Sequence, residues 1–393
     1  MENWNLARFH KRRRLQRAQK LVIQIDDAMN MPHSRKVFLC TLLASAIAFC
    51  PATLANDLSE THAKVREVKA LQKEVTDDLM QLENILGTAV GIDDDGDASL
   101  VIFVERDGKN TAAALHAIPP KLRGIAVKAE LTEKFRAFGK PSGSSANRAK
   151  QTLPIKLGTS GGWGLDLANG YCCGGTLGSL VQVNGAKYIL SNYHVLEADI
   201  VAGGNNIWAT TGQAVIQPGL IDVGCNEANA QAVAQLVTIN SLPASNVDAA
   251  IAQIVDGMVD ANGEILGIGR ISSQTAAPTL NKPVKKAGRT TGLTRSKISG
   301  LNATISVSYE NECAGGAAFI KTFTGQIVIS NRGSSFLDSG DSGSLMVEDV
   351  ATNAKAVGLL YAGSSSYAIA NPIDQVLTYI GTKLGGTATM VGN

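Results

Sequence analysis

Charge is scarce in this chain: Asp, Glu, Lys and Arg make up 18% of 393 residues, where an average soluble protein has about 25%. Glycine is abundant, 40 of 393, against a usual share of about 7%. Together these exclude a coiled coil, a disordered tail protein and a collagen-like repeat, and favour many short strands joined by tight turns. A basic surface is lacking too. Residues 1–36 hold nine Lys/Arg and three Asp/Glu, a charge of +6, so with a net +2 the rest of the chain carries 2 − 6 = −4, which offers nucleic acid nothing to grip. Paired Cys-x-x-Cys spacings with histidine are missing, so no zinc site and no cofactor are expected. The apolar run at 37–50, VFLCTLLASAIAFC, is 14 residues long and falls short of the ~20 that span a bilayer.

That run has another use. Arg35 and Lys36 precede it, and Thr53-Leu54-Ala55 follows with small residues, the three parts of a secretory signal peptide. The sequence therefore predicts a basic leader and signal over 1–55, a translation start at Met29 or Met31, and a secreted or periplasmic protein with no stable membrane span in its mature form. Cys40 and Cys50 leave with the signal, while Cys172, Cys173, Cys225 and Cys313 remain. Four cysteines in an oxidising compartment suggest two disulfides, with three connectivities open. A bond between the adjacent Cys172 and Cys173 is strained; the favoured pairing is Cys173 with Cys225 and Cys172 with Cys313.

The mature chain divides by texture. Over 57–86, Val65, Val68, Leu71, Val75, Leu79, Leu82 and Leu86 recur at spacings of three and four, the apolar face of a helix that Gly87 ends. A hairpin follows, with strands at 88–92 and 100–104 around Asp93-Asp94-Asp95-Gly96-Asp97. An EF-hand with its glycine at Gly96 would need acids at Gly91 and Ile102, so this reads as an Asp-Gly turn and not a calcium loop. A short helix before Pro119-Pro120 and a strand at 125–130 complete a small α+β domain over 56–138. Residues 139–151, GKPSGSSANRAKQ, read as a flexible linker. From 152 to 393 short apolar runs alternate with glycines, at 177–183, 188–191, 251–255, 298–307, 326–330, 345–347 and 357–361. Asn184-Gly185 marks a hairpin turn, and one helix, 373–380, opens at Pro372. The pattern predicts a mainly β domain, an antiparallel barrel or sandwich, long enough for two small barrels.

Three segments of this domain carry candidate chemistry. His194 follows the apolar run 188–191, Asp248 stands just before Ala249-Ala250-Ile251-Ala252, and Ser342 lies between glycines in Ser339-Gly340-Asp341-Ser342-Gly343-Ser344. A serine hydroxyl becomes a competent nucleophile when a base takes its proton, and imidazole titrates in the right range. A carboxylate holds that imidazole in one tautomer and steadies the imidazolium. Glycines beside the serine let two backbone N–H groups turn towards one point, an oxyanion hole. Singly, each residue has an ordinary structural reading, since most histidines are not catalysts and most serines among glycines are turns. The order is more telling. His194 is the sole histidine between 152 and the C-terminus. An α/β-hydrolase needs a histidine after the serine, and a subtilisin arrangement needs the aspartate before the histidine; neither fits.

Tyr193-His194-Val195, Val247-Asp248-Ala249-Ala250-Ile251 and Gly340-Asp341-Ser342-Gly343-Ser344 together resemble the three motif blocks of chymotrypsin-like serine peptidases. Ala287-Gly288-Arg289-Thr290-Thr291-Gly292, followed by Ser299-Gly300-Leu301-Asn302-Ala303-Thr304, is similar to a stretch of the bacterial streptogrisin and α-lytic branch, and the likeness spans roughly 171–380. The resemblance implies a double antiparallel β-barrel with its site in the cleft, and an exported serine endopeptidase acting on a protein or peptide substrate. It implies Ser342 as nucleophile, His194 as general base, Asp248 as its orienter, and the N–H groups of Gly340 and Ser342 as oxyanion hole. Tyr361, Ala362 and Gly363 would pair with the substrate backbone. Arg289 or Lys286 would form the structural ion pair with Asp341. The N-terminal domain would be a propeptide or regulatory unit, an intramolecular chaperone or inhibitor.

Departures from the family pattern are visible. Tyr193 stands where a small residue is usual, no cysteine flanks His194, and Ser344 replaces a glycine. Phe336, six residues before Ser342, stands where trypsin-like enzymes have the aspartate that binds Arg or Lys. Cleavage after apolar or small residues is therefore expected. A catalytically silent binding protein and an esterase using the same triad are the alternatives.

Overall fold

The computed structural model of the protein describes residues 58–137, 146–168, 171–197, 209–309, 319–333 and 335–393. The leader, the signal run, both candidate start residues and Cys313 lie outside the described residues, as do residues 139–145 of the expected linker.

The chain is mainly β. Helix α1 (Ala63–Leu79) buries Val65, Val68 and Leu71, the face read from the spacing. It ends before Leu82, and Leu86 and Gly87 belong instead to strand β1 (Ile85–Ile92), which pairs with β2 (Ala98–Glu105). Asn84, at φ 77°, makes the turn between helix and strand; apolar spacing alone runs on across it because Leu82 and Leu86 fit both periods. At the tip of the hairpin, Asp93 accepts the N–H groups of Asp95 and Asp97, and Gly96 takes φ 89°. After α2 (Thr111–Ala117) come β3 (Lys121–Leu122), β4 (Ile125–Thr132) and β5 (Phe135–Ala137).

The first barrel uses β6 (Thr159–Trp163), β9 (Gly175–Leu177), β10 (Ser179–Val183), β11 (Ala186–Ser191), β12 (Ala214–Gln217), β13 (Gln231–Val237) and β14 (Ala250–Ile254), with the small hairpin of β7 (Leu167–Ala168) and β8 (Tyr171–Cys172) beside it. Its strand order is β10-β11-β14-β13-β12-β6-β9. Only Gly178 separates β9 from β10, so the sheet curls back on itself. Asn184 and Gly185 take φ 49° and 83° at the β10–β11 turn, as a two-residue turn of the primed type requires. Leu180, Ile189, Leu190, Val215, Val233 and Ile251 fill the interior.

The second barrel is closed. Strands β15 (Pro283–Gly288), β16 (Gly292–Tyr309), β17 (Phe319–Ser330), β18 (Leu345–Glu348), β19 (Ala356–Gly363) and β20 (Tyr367–Pro372) run in the order β15-β18-β19-β20-β17-β16, and β16 pairs back onto β15. The single-turn helix α3 (Tyr193–Leu196) belongs to the first barrel. Helix α4 (Ile373–Leu384) and β21 (Thr389–Met390) return to that barrel, where β21 pairs with β10. This is the double antiparallel β-barrel expected from the sequence.

The expectation of a separate 56–138 domain meets a different arrangement. Strand β1 pairs antiparallel with β16, Thr88 opposite Thr304, which extends the second barrel's sheet into the N-terminal segment. A Cβ at Gly87 would collide with the Thr304 carbonyl and the Ile305 side chain, so glycine is what permits the approach. Val65, Val68, Leu71, Leu100 and Ile102 share one apolar core with Ile298, Ile327, Met346 and Leu360 of the barrel. Residues 146–151 are also docked: Asn147 and Gln151 hydrogen-bond into the first barrel through Gly158 and Gln217.

Candidate active site

Strand pairing brings the histidine and aspartate together. Strands β11 and β14 lie side by side with Ser191 opposite Ala250. His194, on α3 just past β11, therefore meets Asp248, two residues before β14. His194 Nδ1 lies 2.6 Å from Asp248 Oδ2. The carboxylate is fully buried, and Tyr193 N–H donates to its other oxygen at 2.8 Å. Backbone bonds fix the aspartate itself: its N–H donates to Asn371 Oδ1, and its carbonyl accepts from Asn192 Nδ2.

The Ser342 loop is anchored from several sides. Thr176 N–H donates to the Ser342 carbonyl at 2.9 Å, and Gly343 N–H to the Leu360 carbonyl at 3.0 Å. Gly340 and Gly343 both take φ 91°, a backbone region in which side chains are strained. The Ser344 hydroxyl donates to the Asp341 carbonyl at 2.5 Å, so the departure from glycine is absorbed within the loop. Gly175 is the meeting point with the histidine helix, because a Cβ there would lie against both the Val195 side chain and the Ser342 carbonyl. Among the described residues the N–H groups of Gly340 and Ser342 donate to no protein acceptor, as an oxyanion hole requires. Ser342 Oγ and His194 Nε2 are both buried without a hydrogen-bond partner among the described residues. The His–Asp contact is thus made in this structure and the Ser–His contact is not.

Asp341 sits in a buried cage. Lys286 Nζ reaches its Oδ2 at 2.9 Å, with both side chains fully buried, and the N–H groups of Thr290 and Thr291 donate to Oδ1. Burial pulls the Lys286 ammonium below its usual range, against the attraction of Asp341. Of the two candidates, Lys286 is therefore the partner. Arg289 turns the other way and forms a forked pair with Asp222, at 2.7 and 2.5 Å.

Two further expectations are corrected. The disulfide joins Cys172 to Cys225, with Cα atoms 5.5 Å apart, so the favoured Cys173–Cys225 and Cys172–Cys313 pairing does not hold; Cys173 is itself disulfide-bonded. Adjacent cysteines on an extended segment point to opposite sides, and sequence spacing does not say which side faces Cys225. Phe336 is fully buried in the second barrel's core, with Ile327, Ile329 and Met346, and is a packing residue, not the wall of an open pocket.

Tyr361 and Ala362 are fully buried, and the edge of Gly363 is taken. Arg136 of β5 pairs antiparallel with Gly363, while the other edge of β5 runs parallel to the end of β16, with Ala137 beside Tyr309. The chain's own N-terminal segment lies where a substrate strand is expected. Motif reading singles out neither this strand nor Tyr309, whose hydroxyl donates to Asp248 Oδ2 at 2.9 Å. A signal for Tyr309 is nevertheless present, since the alternation Ile305, Val307 continues to 309.

A family model, the Nal1 C-terminal domain, matches residues 241–370, a stretch that includes Asp248 and Ser342 but not His194. None of the curated proteins matches. Among solved structures the chain is similar to a glutamic acid specific serine protease, at 17% identity and TM-score 0.40 over 60% of this chain and 100% of that one. It is also similar to Thermobifida fusca protease A, at 18% and 0.38 over 61% and 99%, and to Cellulomonas bogoriensis chymotrypsin, at 19% and 0.36 over 61% and 99%. The fold assignment rests on the strand topology.

Proposed function

We propose that the protein is an exported serine endopeptidase in which Ser342 attacks the peptide carbonyl, His194 takes and returns the proton, and Asp248 orients the imidazole. The buried contact between His194 Nδ1 and Asp248 Oδ2, set beside a serine loop with two free amides, carries this reading. Tautomer control by a buried carboxylate is what a general-base histidine needs, and nothing in barrel packing requires it. The disulfide supports an oxidising compartment. Among the described residues no helix is long and apolar enough to cross a membrane.

The N-terminal unit acts in this reading as an inhibitor and folding partner. Strand β5 occupies the Gly363 edge, and substrate pairs there only after β5 leaves. The unmade Ser342–His194 contact favours one rival, a silent binding protein that keeps the fold. A digest of a peptide library, with Ser342→Ala as control, separates them. Ser342-dependent cleavage supports the peptidase, and no cleavage by either the full chain or folded Phe135→Ala protein, in which the buried anchor of β5 is removed, supports the binding protein. An activated ester hydrolysed with a burst, while peptides stay intact, identifies an esterase.

A further inference from the structure

Asp248 is the member of the proposed triad whose side chain takes hydrogen bonds from both barrels. Its neighbours from the first barrel, Tyr193 N–H and His194 Nδ1, account for one bond to each oxygen. The remaining side-chain donor, at 2.9 Å from Oδ2, is the hydroxyl of Tyr309, which arrives from the far end of β16 in the second barrel. Among the described residues no other side chain of the second barrel bonds to this carboxylate.

We propose that Tyr309 is a positioning residue of the catalytic site, holding the Asp248 carboxylate so that its shared oxygen faces His194 Nδ1. The inference rests on the peptidase reading. The phenol is held on several sides: its backbone pairs with Phe319 of β17 on one edge and with Ala137 of β5 on the other. The ring packs against Phe323, with centroids 6.3 Å apart, and meets the His194 ring edge-on at 6.0 Å. Burial, and then the charge of Asp248, push the phenol well above its ordinary range, so it stays protonated and serves as a donor. A carboxylate with one oxygen bonded to both an imidazole and a phenol loses its freedom to rotate about its own axis. Part of its charge is also drawn away from the imidazole. By contrast, the Tyr361 hydroxyl nearby is buried with no hydrogen-bond partner among the described residues, which marks the bond of Tyr309 as a specific arrangement and not a general feature of the aromatic cluster.

The test is Tyr309→Phe, measured on protein that cleaves peptides in a Ser342-dependent way. Loss of one hydrogen bond to a charged group should lower kcat about 10- to 100-fold with KM changed less than about twofold. The acid limb of the kcat/KM profile should move to higher pH, because an unshared carboxylate charge holds the imidazolium proton more firmly. A purely structural role would lower the melting temperature and leave the limb in place. An unmoved limb with kcat within about twofold of wild type overturns the inference. Failure of the peptidase reading looks different, since Ser342→Ala would then leave any hydrolysis unchanged or none would be seen. Proton NMR covers that case: the low-field Nδ1–H resonance of His194 should move further downfield in Tyr309→Phe, where the carboxylate oxygen is no longer shared, and an unchanged resonance overturns the inference whether or not peptides are cut. If Tyr309→Phe does not fold, 3-fluorotyrosine incorporation strengthens the phenol as a donor without removing it. The same resonance should then move in the opposite direction, and no movement overturns the assignment.

Discussion

At the scale of single residues, buried charge decides most of what can be foreseen. Lys286 and Asp341 are fully buried and bonded to each other beside the serine loop. Removing one partner strands the other without solvent, which costs roughly 3–5 kcal/mol. Lys286→Met should therefore lower stability in urea by that much and slow peptide cleavage, because the same carboxylate also holds the Thr290 and Thr291 amides. Glu197 makes a second case. It follows α3 by one residue and accepts the N–H groups of Ile239 and Asn240, yet burial, reinforced by Asp248, pushes it up to about 7 against those bonds. The folded form binds its proton more tightly than the unfolded chain, so the stability from this group is fully present below about 4.5 and is lost as pH rises through about 7. The loss amounts to roughly 3 kcal/mol. Denaturant titrations at pH 5 and pH 8 should show wild type losing stability between them and Glu197→Gln keeping it; parallel curves for the two proteins would refute the assignment.

Among the elements, β5 is the most consequential and the least legible. A three-residue strand, Phe135-Arg136-Ala137, has no periodicity to display, and its partners Gly363 and Tyr309 stand far away in the chain. Pairing over such a separation is decided by the assembled sheet, so local pattern does not report it. The same holds for β12 and β13, whose polar Gln217, Gln231 and Gln235 dilute the apolar signal. By contrast, the strands around His194, Asp248 and Ser342 and helix α4 are readable, because apolar runs end there at glycine, proline or polar residues. Phe135 holds β5 in place through full burial and an edge-on contact with Phe103, with centroids 5.5 Å apart. Phe135→Ala should cost about 3–5 kcal/mol of local packing and loosen β5. If β5 shields the Gly363 edge, steady-state assays on a peptide substrate should show a lower KM than wild type with kcat little changed. An unchanged or higher KM would mean that β5 does not compete with substrate.

Over the whole molecule, the three motif blocks are enough to foresee two barrels, but a boundary at 138 follows only the change of texture. Texture reports composition, while the unit is defined by a sheet that crosses this boundary through β1 and β16. A protease cutting within 139–145 should accordingly yield two chains on a denaturing gel and one particle by gel filtration, with little residual peptidase activity. Separation into two peaks without denaturant would show that the β1–β16 ladder and the shared core do not hold the fragments.

The antiparallel seam between β1 and β16 also bears on time. On the proposed reading, a severed N-terminal fragment keeps its address and its β5 would compete with substrate at the high local concentration of a tethered ligand, which dilution does not lower. Onset of activity would then follow the spontaneous opening or digestion of the fragment itself, and the seam works as a clock whose rate is set by unfolding and not by the cut.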